Sequence, residues 1–309
     1  HEYLAEMRRE SFGRYDAVTV GETAGLGMQM SKMLTAESRA ELDMVFNFDA
    51  LENPGKTRFD DYRYDLRYLK KYLLDWQQNY GDNCWMSLFF ENHDNPRMVS
   101  KVNPDPAVRA PLAKLLATLQ LTLKGTPFIY QGQELGLANV DFASIDEIND
   151  VESRNLYQEL CGKMPSEEAW KRILAGTRDH ARAPMPWNAG PNGGFTAGTP
   201  WLRMADGWQT CNAADEMRDP DSVFHYYKKL IALRRENPWL GGCFVCAVLR
   251  AACVFPSLIL NTTILPGDAC RSAAAAVSAA LMLALLLCFW QGLRAVRRKA
   301  GLPAQGGGA

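Results

Sequence analysis

Three short strings place polar side chains directly after apolar runs. Glu22 and Thr23 stand in VGETAG, Asn92, His93 and Asp94 in FFENHDNPR, and Gln131, Gln133 and Glu134 in IYQGQELG. An acid that follows a buried strand is costly unless it is hydrogen-bonded or used, because charge is poorly solvated there. In an apolar setting a carboxyl pKa rises, which suits a general acid at neutral pH. A second carboxylate kept ionised beside it would stabilise positive charge developing on a substrate. Two such groups are the working parts of glycosidic-bond hydrolysis. The same residue types also serve as caps, since acids after strands commonly cover helix N-termini, and Glu134 fits that use. The residues by themselves leave Glu22 and Asp94 open to either role.

The elements that must hold these residues alternate. Runs rich in Val, Ile and Phe predict strands at Asp16–Gly21, Leu42–Phe48, Cys84–Phe90 and Pro127–Tyr130. Helical spacing predicts a short piece at Thr35–Arg39 and longer helices at Asp60–Asn79, Pro106–Lys124 and Asp221–Asn237, the last with Phe224, Tyr227, Leu230 and Leu233 on its inner face. The first residues, HEYLAEMRRESFG, read as the end of a helix, with Leu4, Met7 and Phe12 on one stripe, so the chain is expected to have been cut on its N-terminal side. Strand, helix, strand, helix with buried strands predicts a parallel sheet covered by helices, with its chemistry at the carboxyl ends of the strands.

VTVGETAG, FFENHDNPR, GTPFIYQGQELGLANV and RDHARAPMPWN resemble, in this order, the later motifs of glycoside hydrolase family 13, closest to its oligo-1,6-glucosidase and α-glucosidase branch. HYYKKLIALRRENPWL resembles the last barrel helix of that branch, so the resemblance covers residues 1–240. It implies an α/β fold: a partial (β/α)8 TIM barrel carrying the fifth to eighth strands. It also implies retaining hydrolysis of α-glucosidic bonds in short gluco-oligosaccharides, without metal or cofactor and, by the same resemblance, in the cytoplasm. Glu22 matches the general acid/base and Asp94 the carboxylate that holds the sugar ring and stabilises the transition state. His93 matches the histidine that hydrogen-bonds the sugar, and Arg178, in TRDHAR, an arginine closing the pocket around the non-reducing glucose. The family's nucleophile lies in a motif before the fifth strand, outside this sequence, and the acid partnering Arg178 is expected there too. The chain alone is therefore expected to be inactive. Trehalose-6-phosphate hydrolases and sucrose isomerases are similar in the same motifs, and selectivity for α-1,6 over α-1,4 links is expected only. A non-catalytic, membrane-anchored relative is the other alternative. The aromatics Trp187, Phe195 and Trp201 have the types that stack on sugars, but a Trp in a Pro/Gly-rich loop more often covers the core.

The 309 residues, 47% hydrophobic and 22% charged with a net charge of −1, exclude a disordered chain and a polytopic membrane protein and give no footprint for nucleic acid. That average conceals a boundary after Gly242. Residues 1–242 hold 28 bases against 34 acids, whereas 243–309 hold six bases against one acid, Asp268, and five of the eight cysteines. The second part is expected to be an unrelated apolar tail. Its uncharged stretch between Arg271 and Arg294 is long enough for a transmembrane helix at about 273–290. A segment read out of frame fits the loss of acids and the Gly-Gly-Gly-Ala ending, and is the preferred reading. Cys84, Cys161 and Cys211 form no metal spacing and read as buried thiols. Cys243 and Cys246 form CxxC without a second pair, a weak zinc signal.

Overall fold

Among the described residues, four short strands run parallel in two hydrogen-bonded pairs. In chain order the elements are α1 (Glu2–Glu10), β1 (Val20–Thr23), α2 (Gly27–Thr35), β2 (Met44–Asn47), α3 (Leu66–Asn79), β3 (Ser87–Leu88), α4 (Met98–Val102), α5 (Arg109–Thr122), β4 (Thr126–Pro127), α6 (Val151–Cys161), α7 (Ser166–Gly176), α8 (Asp179–Arg182), α9 (Ala213–Arg218) and α10 (Val223–Glu236). The computed structural model describes residues 2–81, 83–237 and 240. The chain divides into two compact units, His1–Gly242 and Cys243–Ala309. The apolar run expected at 273–290 and the Cys243–Cys246 pair lie outside the described residues. Among the described residues no helix is long and apolar enough to cross a membrane.

β1 pairs with β2 in the register Glu22 to Phe46, and β3 pairs with β4 in the register Ser87 to Thr126. The two pairs are joined by a side chain: the buried Ser87 hydroxyl donates to the Val45 carbonyl at 2.6 Å. The first strand lies later than the apolar run DAVTVG suggests. Thr19 is held before it by Asp43, whose Oδ2 accepts from the Thr19 amide at 2.8 Å and its hydroxyl at 2.7 Å. Glu22 and Thr23 thus lie within the strand rather than after it. At the third strand only Ser87 and Leu88 pair, although Phe89 and Phe90 continue the run buried.

The helices follow their apolar spacing. α3 begins at Asp65, whose side chain accepts the Arg67 amide at 2.8 Å, and buries Leu69, Tyr72, Leu73 and Trp76. The Pro106–Lys124 stretch splits into a 3-10 turn, Pro106–Val108, and then α5, which is buried along most of its length. Gly125 turns the chain from α5 into β4 at φ +136°, where a Cβ would stand 2.4 Å from the Met86 carbonyl oxygen. On α10, Tyr227 is buried while Leu233, assigned by spacing to the inner face, is exposed. Arg234 turns inward instead, and its Nη1 donates to the Leu121 and Leu123 carbonyls at 2.9 Å, covering the last turn of α5. Spacing also passed over α2, α6 and α7.

Candidate active site

Glu22 opens onto a cleft of about 250 Å³ whose polar wall is Glu22, Glu91, Asn92 and His93. Its apolar wall comes from consecutive strands. Phe46 of β2 meets Phe89 after β3 at 4.9 Å and Phe128 after β4 at 4.7 Å, edge to face, and Phe48 meets Phe89 at 5.6 Å. The strand register therefore builds both the aromatic layer and the placement of the acid above it. Glu22 is exposed, so the burial that the sequence argument gave this carboxyl is not there. A larger cavity, about 950 Å³, lies among Arg58, Arg63, Lys101, Arg109 and Trp208 and contains none of the strand-end residues. Volume alone therefore does not single out the cleft that Glu22 and His93 line.

Behind His93 the chain is tied densely. His93 is 62% exposed, and its Nε2 lies 3.3 Å from Asp94 Oδ2. Asp94 Oδ1 accepts from Arg182 Nη2 at 2.9 Å, with Arg178 Nη1 at 3.5 Å. The Asp94 amide closes an Asx turn on Asn92 Oδ1 at 3.0 Å. The Asp94 carbonyl accepts from Arg58 Nη1 at 2.9 Å and the His93 carbonyl from Arg182 Nε at 2.8 Å. Cleft and contacts thus join Glu22 to His93, His93 to Asp94, and Asp94 to Arg178.

The acid expected outside the chain to partner Arg178 has a counterpart inside it. Arg178 Nε donates to Asp150 Oδ1 at 2.9 Å, and Asp150 is fully buried at its side chain. Burial pushes the Asp150 carboxyl up, but its bonds from Arg178 and Ser153 outweigh this and hold it below the usual carboxylate range. Those bonds to Asp150 in turn hold the Arg178 guanidinium above its ordinary value.

α8 presents Arg178 and Arg182 from the two ends of one helical turn because the residues between them are locked away. Asp179 Oδ2 accepts the amides of Asn149 at 2.6 Å and Asp150 at 2.9 Å. His180 is buried; its Nε2 donates to the Leu174 carbonyl at 2.7 Å and its Nδ1 accepts the Val140 amide at 3.1 Å. Burial lowers the His180 pKa to about 4, so the imidazole is neutral at pH 7. The Ala181 carbonyl accepts from the Tyr130 hydroxyl at 3.1 Å, linking α8 to the loop after β4.

A second buried pair supports the floor. Glu91 accepts from Arg97 Nη1 at 2.9 Å and from the Met98 amide at 3.0 Å. Arg97 also donates to the Gln131 carbonyl at 2.8 Å and lies over the Tyr130 ring. Burial pushes Glu91 up despite Arg97 and the Met98 amide. Glu134, assigned by sequence as a possible cap, has a buried Oε2 without a hydrogen-bond partner. Trp187, Phe195 and Trp201, expected to pack on the core, are 52%, 45% and 56% exposed. Their loop turns through Gly193 and Gly194 at positive φ and leaves the rings outward. Cys84 is buried but Cys161, on α6, is exposed. Among the described residues no group of His, Cys, Asp and Glu has the arrangement of a metal site.

Arg58, Arg97, Asp150 and Arg182 were not singled out by sequence reasoning. Arg58, Asp150 and Arg182 act across long stretches of chain, so local spacing carries no sign of them. Arg97 pairs with Glu91 six residues away, between β3 and α4, where no helical or strand period applies. The Arg in RDHAR was the one signal for Arg182.

The alpha-amylase catalytic domain model matches residues 1–242. An oligo-1,6-glucosidase of Halalkalibacterium halodurans is 42% identical over 240 residues, 77% of this chain and 43% of that protein. Among solved structures, a Bacillus licheniformis trehalose-6-phosphate hydrolase superimposes with a TM-score of 0.73 at 42% identity, covering 78% of this chain and 44% of that one. An isomaltulose synthase of Erwinia rhapontici NX5 gives 0.74 at 38% identity, again over 78% and 44%. The chain thus spans less than half the length of the relatives it matches. With Glu22 on β1, a His–Asp pair after β3 and a match running through all of them, this chain belongs to the alpha-amylase catalytic-domain family of glycoside hydrolases, whose structures have the TIM-barrel fold.

Proposed function

We propose that residues 1–242 are the fifth to eighth βα units of a glycosidase barrel and take part in retaining hydrolysis of α-glucosidic bonds in short gluco-oligosaccharides. Glu22 protonates the leaving oxygen and then deprotonates the attacking water. Asp94 and His93 hold the sugar ring, Asp94 stabilising the positive charge that develops on it. Arg178, with Asp150, closes the pocket around the non-reducing glucose. The nucleophile is an aspartate supplied from outside the 309 residues, and residues 243–309 are a separate segment.

The observation that carries this reading is the single chain of contact from Glu22 through one aromatic-walled cleft to His93, and from His93 to Asp94 at 3.3 Å. An oxocarbenium-like transition state needs such a cleft, with an acid over one wall and an ionised carboxylate behind it. The test is a chimera in which residues 1–242 replace the matched segment of the Halalkalibacterium halodurans oligo-1,6-glucosidase. Offered isomaltose, maltose, trehalose 6-phosphate and sucrose, it is expected to hydrolyse isomaltose best with retention at the anomeric carbon, and Asp94→Asn to lower that rate by orders of magnitude. A folded chimera with undiminished turnover after Asp94→Asn would remove Asp94 from the reaction. Preference for trehalose 6-phosphate or rearrangement of sucrose would reassign the substrate.

A further inference from the structure

Asp94 can act on a sugar only if its carboxylate is aimed, and the side chain that aims it comes from a distant part of the chain. We propose that Arg182 is a positioning residue, fixing the rotamer of Asp94 and the path of the His93–Asp94 loop through one guanidinium. This proposal rests on the reading of His93 and Asp94 as sugar-holding residues.

The guanidinium engages backbone and side chain of successive residues at once. Its Nε donates to the His93 carbonyl at 2.8 Å and its Nη2 to Asp94 Oδ1 at 2.9 Å. Charge-assisted bonds of this length are about twice as strong as neutral ones, and the planar fork fixes direction as well as distance. With Oδ1 held on this side, Oδ2 is the oxygen turned towards His93 Nε2. Arg178 reaches the same Oδ1 only at 3.5 Å, and its closer bonds go to Asp150. Arg58 touches the Asp94 backbone and not its carboxylate.

A positioning group must itself be immobile. Arg182 ends α8, whose preceding residues Asp179, His180 and Ala181 are all buried and bonded to four different segments: the 149–150 amides, the Leu174 carbonyl, the Val140 amide and the Tyr130 hydroxyl. The anchor is thus set before any ligand arrives.

The experiment uses the full chain and the variants Arg182→Ala, Arg182→Lys, Asp94→Asn and the Arg182→Ala/Asp94→Asn double. Amide hydrogen exchange across residues 92–95 is read first. It is expected to accelerate at least tenfold in Arg182→Ala, to recover in part in Arg182→Lys, and to stay at the wild-type rate in α5 for both. Unchanged exchange at 92–95 overturns the proposal, and acceleration spread equally through α5 marks a general loss of stability instead. Affinity for the glucose-shaped iminosugar 1-deoxynojirimycin is read second, with the same substitutions in the chimera that supplies the rest of the barrel. Arg182→Ala is expected to weaken it about tenfold, with little further loss on adding Asp94→Asn, because the two act through the same carboxylate. Wild-type affinity in Arg182→Ala, or fully additive losses, also overturns it. A wild-type chimera that binds no iminosugar counts against the sugar-site reading, and the exchange data still decide the role of Arg182.

Discussion

The two carboxylates proposed to carry the reaction live in opposite surroundings. Asp94 sits in a mesh of three arginines and a histidine, two of them bonded to its carboxylate or its backbone at 2.9 Å. Glu22 stands exposed on β1, placed by strand register over a wall of phenylalanines. A carboxylate that must stay charged and fixed benefits from dedicated cations, whereas a group that must exchange protons with both a leaving group and water needs access. With the proposed roles, the contrast is of a chain that commits its ion pairs to geometry at Asp94 and leaves Glu22 accessible.

Breaking the buried support should have the largest effect. Arg97→Ala leaves Glu91 as an uncompensated buried charge and should cost about 3–5 kcal/mol, read from urea unfolding. A loss under about 1 kcal/mol would mean the pair does not hold the floor of the cleft. Next comes pH. The His180 pKa is depressed in the fold to about 4, so between the ordinary histidine value and about 4 the unfolded chain binds more protons, and stability falls as pH falls through that window. The full loss is about 3 kcal/mol from a depression of this size. Burial raises Glu91 and Asp179, which pull the opposite way, so the comparison is with His180→Gln, which should lack this component of the acid-side decline. Parallel pH profiles for the two proteins would show that His180 is not held neutral. The smallest effect is expected at Glu22. Glu22→Gln replaces an exposed side chain and should move stability by no more than about 0.5 kcal/mol, in contrast to the several kcal/mol at Arg97. A large destabilisation would make Glu22 a structural residue.

What the sequence made legible follows the range of the forces involved. The strand-end strings were readable because an apolar run followed by an acid is a local pattern; His93 and Asp94 do follow β3, whereas Glu22 lies inside β1. The start of β1 was misplaced because DAVTVG has the composition of a strand, while Asp43, 24 residues on from Thr19, decides where pairing begins. α2 was hidden by its opening Gly-Leu-Gly, and Leu233 was put inside because helical spacing cannot foresee that Arg234 covers the end of α5. Arg182 was unreadable for the same reason: its partners stand 88 and 89 residues earlier. A long-range ion pair leaves no period in the sequence.

The measurement that bears most directly on the central claim is kcat/KM of the Glu22→Gln chimera on two substrates that differ only in their need for a proton. Isomaltose has a poor leaving group, and p-nitrophenyl α-glucoside leaves without an acid. If Glu22 is the acid, kcat/KM for isomaltose should fall at least about a hundredfold while that for the nitrophenyl glucoside changes little. Equal losses on both substrates, or no loss on either, would contradict the assignment of Glu22 and with it the division of labour between the two carboxylates.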